Sequence, residues 1–133
     1  MSSTINLSED GTYIFVKVHG EINRQLAMQQ NLEAHALGAK LNIHLYLVDL
    51  LESQNTDSVV QNYNFAYQDM KMEPGIDRFA RVAMIVRPDD HSHDFVEVVL
   101  RNAGQNVRIF TDRAAAMDYL FNRTHVPERR GGS

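Results

Sequence analysis

The sequence predicts an α/β domain: a mixed, mostly parallel five-stranded sheet with four helices in the order ββαβαβαβα. Three observations carry that expectation. Thr12 to His19 alternates strictly, with Ile14, Val16 and Val18 on one face and Tyr13, Phe15, Lys17 and His19 on the other, the period of a strand. Ile43 to Leu51 is almost continuously apolar, as in a strand covered on both faces. Between and after these lie stretches rich in helix formers, and repeated β-α-β units imply parallel neighbours and right-handed crossovers.

The elements follow in order. Thr4 to Leu7 reads as a short edge strand, and Ser8-Glu9-Asp10-Gly11 as the turn of a hairpin into the alternating strand. Gly20 breaks that strand. Asn23 to Leu41 is the first helix, carrying Leu26, Leu32 and Leu37, with Gly38 weakening its last turn. Asp57 to Met72 is the second, with Val59, Tyr63, Ala66 and Met70 at spacings of three and four, stopped by Pro74-Gly75. Arg81 to Val86 is a strand ended by Pro88. Ser92 to Ala103 is the third helix, with Gly104 as a left-handed cap. Val107 to Phe110 is the last strand, and Thr111-Asp112 caps a final helix through about Phe121. Residues 1–122 are read as one domain and 123–133 as a disordered tail.

Composition narrows the function. The chain has 133 residues, enough for a core without staples, and no cysteine, which excludes thiol redox, cysteine nucleophiles and zinc-thiolate sites. A net charge of −4 with scattered basic residues argues against nucleic acid; Arg129-Arg130 stand alone in the tail. No apolar run reaches membrane-spanning length, and the first ten residues lack the pattern of a signal peptide, so the expectation is cytoplasmic. There is no Gly-x-Ser-x-Gly, no phosphate-binding glycine loop and no dinucleotide fingerprint, so no catalytic residue and no cofactor is assigned.

Three stretches carry a family resemblance: Tyr13-Ile14-Phe15-Val16-Lys17-Val18-His19-Gly20, Phe79-Ala80-Arg81-Val82-Ala83-Met84-Ile85-Val86, and Arg108-Ile109-Phe110-Thr111-Asp112 leading to Ala116-Met117-Asp118-Tyr119-Leu120. With the order of elements, they make the chain resemble STAS domains, and more narrowly the stand-alone SpoIIAA-like proteins, over roughly residues 5 to 121. The resemblance implies a regulatory or protein-interaction module and a serine phosphorylated at the start of the second helix. Asp57-Ser58 stands there, followed by Val59-Val60 where the family signature continues Ser-Gly, which makes Ser58 the candidate phosphoacceptor.

The residues suggest three further places. In a parallel sheet, sites gather at the carboxyl ends of the strands. That rim would hold His19, Asp49, Asp57, Asp89, Asp90 and His91, with Asp112 beside them. Helix capping accounts for most of the same carboxylates. His91 and His93 point apart on a helix, so the Asp89–Asp94 run is not expected to bind a metal. Tyr13 and Phe15, with His44 and Tyr46, would form an aromatic partner surface if one sheet face is open; a covering helix is the alternative. Phe65 lies off the apolar stripe of the second helix and is the candidate lining residue of an apolar pocket, with core packing as its alternative. Three functions therefore stand: an interaction module, expected to be a homodimer; a binding domain for a small apolar or lipid-like ligand; and an enzyme or metal protein using the rim.

Overall fold

The computed structural model describes residues 2–123. The chain forms β1 (Ser2–Leu7), β2 (Ile14–Ile22), α1 (Arg24–Leu41), β3 (Leu45–Asn55), α2 (Val59–Asn64) continuing as a π-helical segment (Phe65–Met70), β4 (Arg81–Ile85), α3 (Asp94–Asn102), β5 (Asn106–Phe110) and α4 (Arg113–Leu120). The five strands lie in the order of the chain, with β1 antiparallel to β2 and every later pair parallel. This is the expected α/β class with the expected strand count.

The strand order fixes where the helices go. The crossovers from β2 to β3, β3 to β4 and β4 to β5 all step in one direction. Right-handed connections stepping one way place their helices on one face. α1, the π segment and α3 accordingly share a core with Ile14, Val16, Val18, Tyr46, Leu50 and Val107. α4 follows the last strand, is not a crossover, and packs Ala116 and Leu120 on the opposite face against Tyr13, Leu47, Ala83 and Ile85. Both faces of the central strands are therefore covered, which is why Ile43–Leu51 reads as continuously apolar.

Several boundaries move for identifiable reasons. β2 does not stop at Gly20; it continues to Ile22, with Gly20 at φ +88°, a backbone setting that glycine adopts without strain. β3 runs on to Asn55, four residues past the expected end, and a register irregularity between Lys17 and His19 sets it one residue ahead of β2. α3 begins at Asp94 rather than Ser92, because the preceding residues form turns. Asp112 caps α4 as expected, accepting from the Ala114 amide at 3.2 Å. Of the expected tail, Arg123 is tied to Asp118 through backbone and side chain, and residues 124–133 lie outside the described set.

Gly38 does more than weaken a turn. It lets the end of α1 close onto β3: a Cβ there would sit 2.0 Å from the Tyr46 hydroxyl oxygen and 2.8 Å from the Ile43 carbonyl oxygen. Tyr46 is 2% exposed and stacks on His35, ring centroids 4.6 Å apart, so it has little room to yield. Gly38→Ala should therefore destabilise the protein by about 2 kcal/mol or more, overriding the roughly 1 kcal/mol that alanine ordinarily gains in a helix. Tyr46→Phe in the same background should recover part of the loss. Thermal and denaturant unfolding of the single and double variants read both effects.

Candidate functional site

The helix layer does not fill its side of the sheet. α1 starts cleanly, with the Asn23 side chain accepting from the Leu26 amide at 2.9 Å. Its most buried positions are not its leucines. Leu32 is 37% exposed, and the buried positions are Gln30, Ala34, His35 and Gly38. Gly38 packs directly on Tyr46, but one turn and more earlier Ala27, Gln30 and Asn31 face the sheet where larger apolar side chains would complete the packing.

The result is a cavity of about 90 Å³. Val48, Leu50, Val82, Met84 and Val107 form its floor on β3, β4 and β5. Ala27, Gln30, Asn31 and His35 come from α1, Phe65 and Met70 from the π segment, and Val96 and Leu100 from α3. Together with Ile22 at the end of β2 the lining touches four parallel strands.

The π segment explains why Phe65 lines this cavity. A π turn bonds residue i to i+5, so Phe65 and Met70 fall on one side; both are buried. An uninterrupted α-helix would have put Val59, Tyr63, Ala66 and Met70 inside. Instead Val59 and Tyr63 are 64% and 51% exposed, and the inward position of α2 is Asn62, whose side chain bonds to Asn55 at 2.8 Å. The phase shift is local to the backbone and has no counterpart in the apolar spacing.

Two histidines and a glutamine put polar groups in the apolar lining. Asp77 donates its amide hydrogen to His35 Nδ1 at 2.9 Å, so the neutral ring carries its proton on Nε2. Burial lowers the His35 pKa from 6.5 to about 4, against the opposing pull of Asp77. Burial also lowers that of His93, outweighing the Ser53 carbonyl and the charges of Asp90 and Asp94. His93 Nε2 lies 3.4 Å from the Ser53 carbonyl oxygen and 3.7 Å from Asp90 Oδ2. One ring nitrogen faces both groups, which is not the relay of a nucleophilic triad, where acid and nucleophile sit on opposite nitrogens. Gln30 Oε1 has no hydrogen-bond partner among the described residues, although the residue is only 7% exposed.

The residues of the expected rim do not converge. Asp49 is buried in the middle of β3, 3.2 Å from Lys17 Nζ, because β3 extends beyond it. His19 lies 3.5 Å from Glu52. Asp57 accepts from the Arg24 amide and so serves the first turn of α1 rather than α2. Arg24 in turn spans to Asp69, with contacts of 2.7 and 2.9 Å. Asp89 is exposed and pairs loosely with Arg87 at 3.5 Å. Asp90 is buried and accepts from the Ser92 amide at 2.9 Å. Burial pushes its carboxyl up, and the Ser92 bonds with the charges of His93 and Arg87 more than reverse this, leaving it below the usual range. His91 points to solvent and meets Asp94 at 2.9 Å, whereas His93 points inward. Among the described residues no group of three or more His, Asp or Glu is placed to hold a metal ion.

The four residues grouped as an open aromatic surface do not share one. Tyr13 is 8% exposed under α4, where it packs edge-on to Phe121 and its hydroxyl accepts from Arg113 at 3.2 Å. Phe15 is half-buried below the Arg113 guanidinium. Tyr46 pairs in register with Ile14, so it lies on the face away from Phe15. His44 precedes β3 and pairs with Asp77. Ser58 is exposed at the start of α2, its Oγ accepting from the Gln61 amide at 3.2 Å. No helix among the described residues is long and apolar enough to cross a membrane.

Both buried histidines make stability fall on acidification. The unfolded chain takes up protons near the ordinary histidine value of 6.5; folded His35 resists until about 4. Stability should be full above pH 6.5 and decline toward pH 4, with a slope approaching 1.4 kcal/mol per pH unit for each silent histidine. The lowered carboxyls of Asp77 and Asp90 act in a lower window, where they too begin to protonate. Urea unfolding between pH 8 and 4.5 reads the slope, and His35→Phe should reduce it.

No protein-family model matches the chain, and no curated protein matches it significantly. Among solved structures, it is similar to an uncharacterised protein of the DUF3478 family with a SpoIIAA-like fold from Shewanella loihica PV-4, at 21% identity and a TM-score of 0.49 over 90% of this chain and 92% of that one.

Proposed function

We propose that this protein is a binding module for a small, largely apolar molecule held between the sheet and its helix layer. The observation that carries this reading is the cavity of about 90 Å³, floored by aliphatic side chains and roofed by the polar face of α1. Folded interiors are close-packed, and a void of this size is several times what one water needs. Its walls are apolar with a few polar groups, the usual make-up of a small-molecule site. The competing location loses its geometric basis. A ligand crevice at the strand ends arises where crossovers diverge in opposite directions, and here all three step the same way.

Benzene is a suitable probe because a somewhat larger engineered apolar cavity, about 150 Å³, admits it, and Met70 and Met84 can adjust around a guest. Benzene should raise the melting temperature in proportion to its saturation and shift methyl resonances of Val48, Val82 and Leu100. Ala27→Leu, which grows a side chain into the cavity, should leave the fold intact and abolish the shift. Native mass spectrometry of freshly purified protein should show a bound small molecule. Protein without such a guest that is also indifferent to benzene would remove the reading.

A second reading rests on a different surface. α2 turns Val59, Val60 and Tyr63 outward at 64%, 66% and 51% exposure, next to the exposed Ser58. A second copy of the chain seated on this apolar helix end would give an isologous homodimer. A phosphate on Ser58 would add up to about two negative charges at its edge. On this reading light scattering should return a dimer mass, and Val60→Glu a folded monomer. A monomer mass for the unaltered protein at high concentration would exclude it.

A further inference from the structure

The cavity also specifies the kind of molecule that fits, an inference that rests on the ligand-binding reading above. Its lining contains no Lys, Arg, Asp or Glu among the described residues. Its polar groups are the side chains of Asn, Gln and His, and all of these are neutral when the imidazoles are unprotonated. Asn31 already donates to the Ala27 carbonyl at 2.8 Å, and Asn55 is engaged with Asn62 at 2.8 Å. Gln30 differs from them. It is more than nine-tenths buried, lines the cavity, and its Oε1 has no hydrogen-bond partner among the described residues. A buried amide left unpaired is costly, and native proteins satisfy nearly all such groups.

We propose that the cavity selects short, uncharged amphiphiles, and that their primary amide or hydroxyl group pairs with the side-chain amide of Gln30. A primary amide is the best match. Its N–H donates to Gln30 Oε1 while its carbonyl accepts from Gln30 Nε2, closing two hydrogen bonds head to head. A hydroxyl can satisfy Oε1 alone. A carboxylate offers only acceptors and an ammonium only donors, and either would bring a charge into a lining that holds no counter-ion. The aliphatic floor of Val48, Leu50, Val82 and Met84 takes the chain.

The test is calorimetric titration at pH 8, where both cavity histidines are neutral, with pentanamide, 1-pentanol, pentanoate and pentylammonium. Pentanamide and 1-pentanol should bind, and the two ions should bind at least about tenfold more weakly. In Gln30→Met, which keeps the volume and removes the amide, pentanamide should weaken by about tenfold while benzene still binds, showing that the cavity persists. Equal affinity for pentanoate or pentylammonium and pentanamide would overturn the inference. So would pentanamide affinity unchanged by Gln30→Met. In both cases the binding-module reading would still stand on benzene. If neither benzene nor any of the four compounds binds, that reading falls and the inference falls with it.

Discussion

The one-way order of the strands is the constraint from which the rest follows. Because each crossover is right-handed and each steps to the next strand outward, α1, the π segment and α3 have no choice of face. That crowds three helical elements onto one side of a five-stranded sheet and leaves the other, among the described residues, to α4. It also removes the divergence of loops that makes a crevice at the strand ends of doubly wound sheets. Space for a guest must then come from within the helix layer. It does so because α1 lines that space with Ala27, Gln30, Asn31 and His35.

The same packing decides which polar residues hold structure together. Arg24, Asp57 and Asp69 tie the start of α1 to the far side of α2, and Asn55 links Asn62 to the Ser92 hydroxyl across the top of the layer. These contacts fix the three connections that leave β2, β3 and β4. A rim of carboxylates at strand ends looks in sequence like a site, but these carboxylates bind backbone amides and a guanidinium. Lys17 and Asp49 form a separate pair on the α4 side, where the irregularity between β2 and β3 brings Glu52 within 3.3 Å as well.

Periodicity made most of the architecture legible. Strict alternation identified β2 and its two faces, continuous apolarity identified β3, and the helix cap at Asp112 was visible as a residue type. Side-chain spacing could not reveal what the backbone does at single residues. The π segment exchanges the buried roles of Tyr63 and Phe65, and strand register moves Tyr46 to the face opposite Phe15. Gln30 and His35 were missed for a different reason. Both are polar residues on a helix that also carries Leu26, Leu32 and Leu37. The hint was that Ala27, Gln30, Asn31, Ala34 and Gly38, all small or polar, follow a helical spacing of their own.

An unfilled interior has an energetic consequence that bears on function. A void of about 90 Å³ lowers stability by on the order of 2 kcal/mol at the cost per volume seen for core truncations. An unpaired buried amide oxygen such as Gln30 Oε1 adds a further cost of roughly 1 to 3 kcal/mol. Leucine at position 27 or an apolar residue at position 30 would offset much of this, and such stabilising changes are readily reached by single substitutions. A guest that fills the space and pairs the amide offsets the same two terms without any change of sequence, and its stabilising effect grows with its concentration through mass action. The helix layer is thus least complete where a ligand of the matching chemistry would complete it.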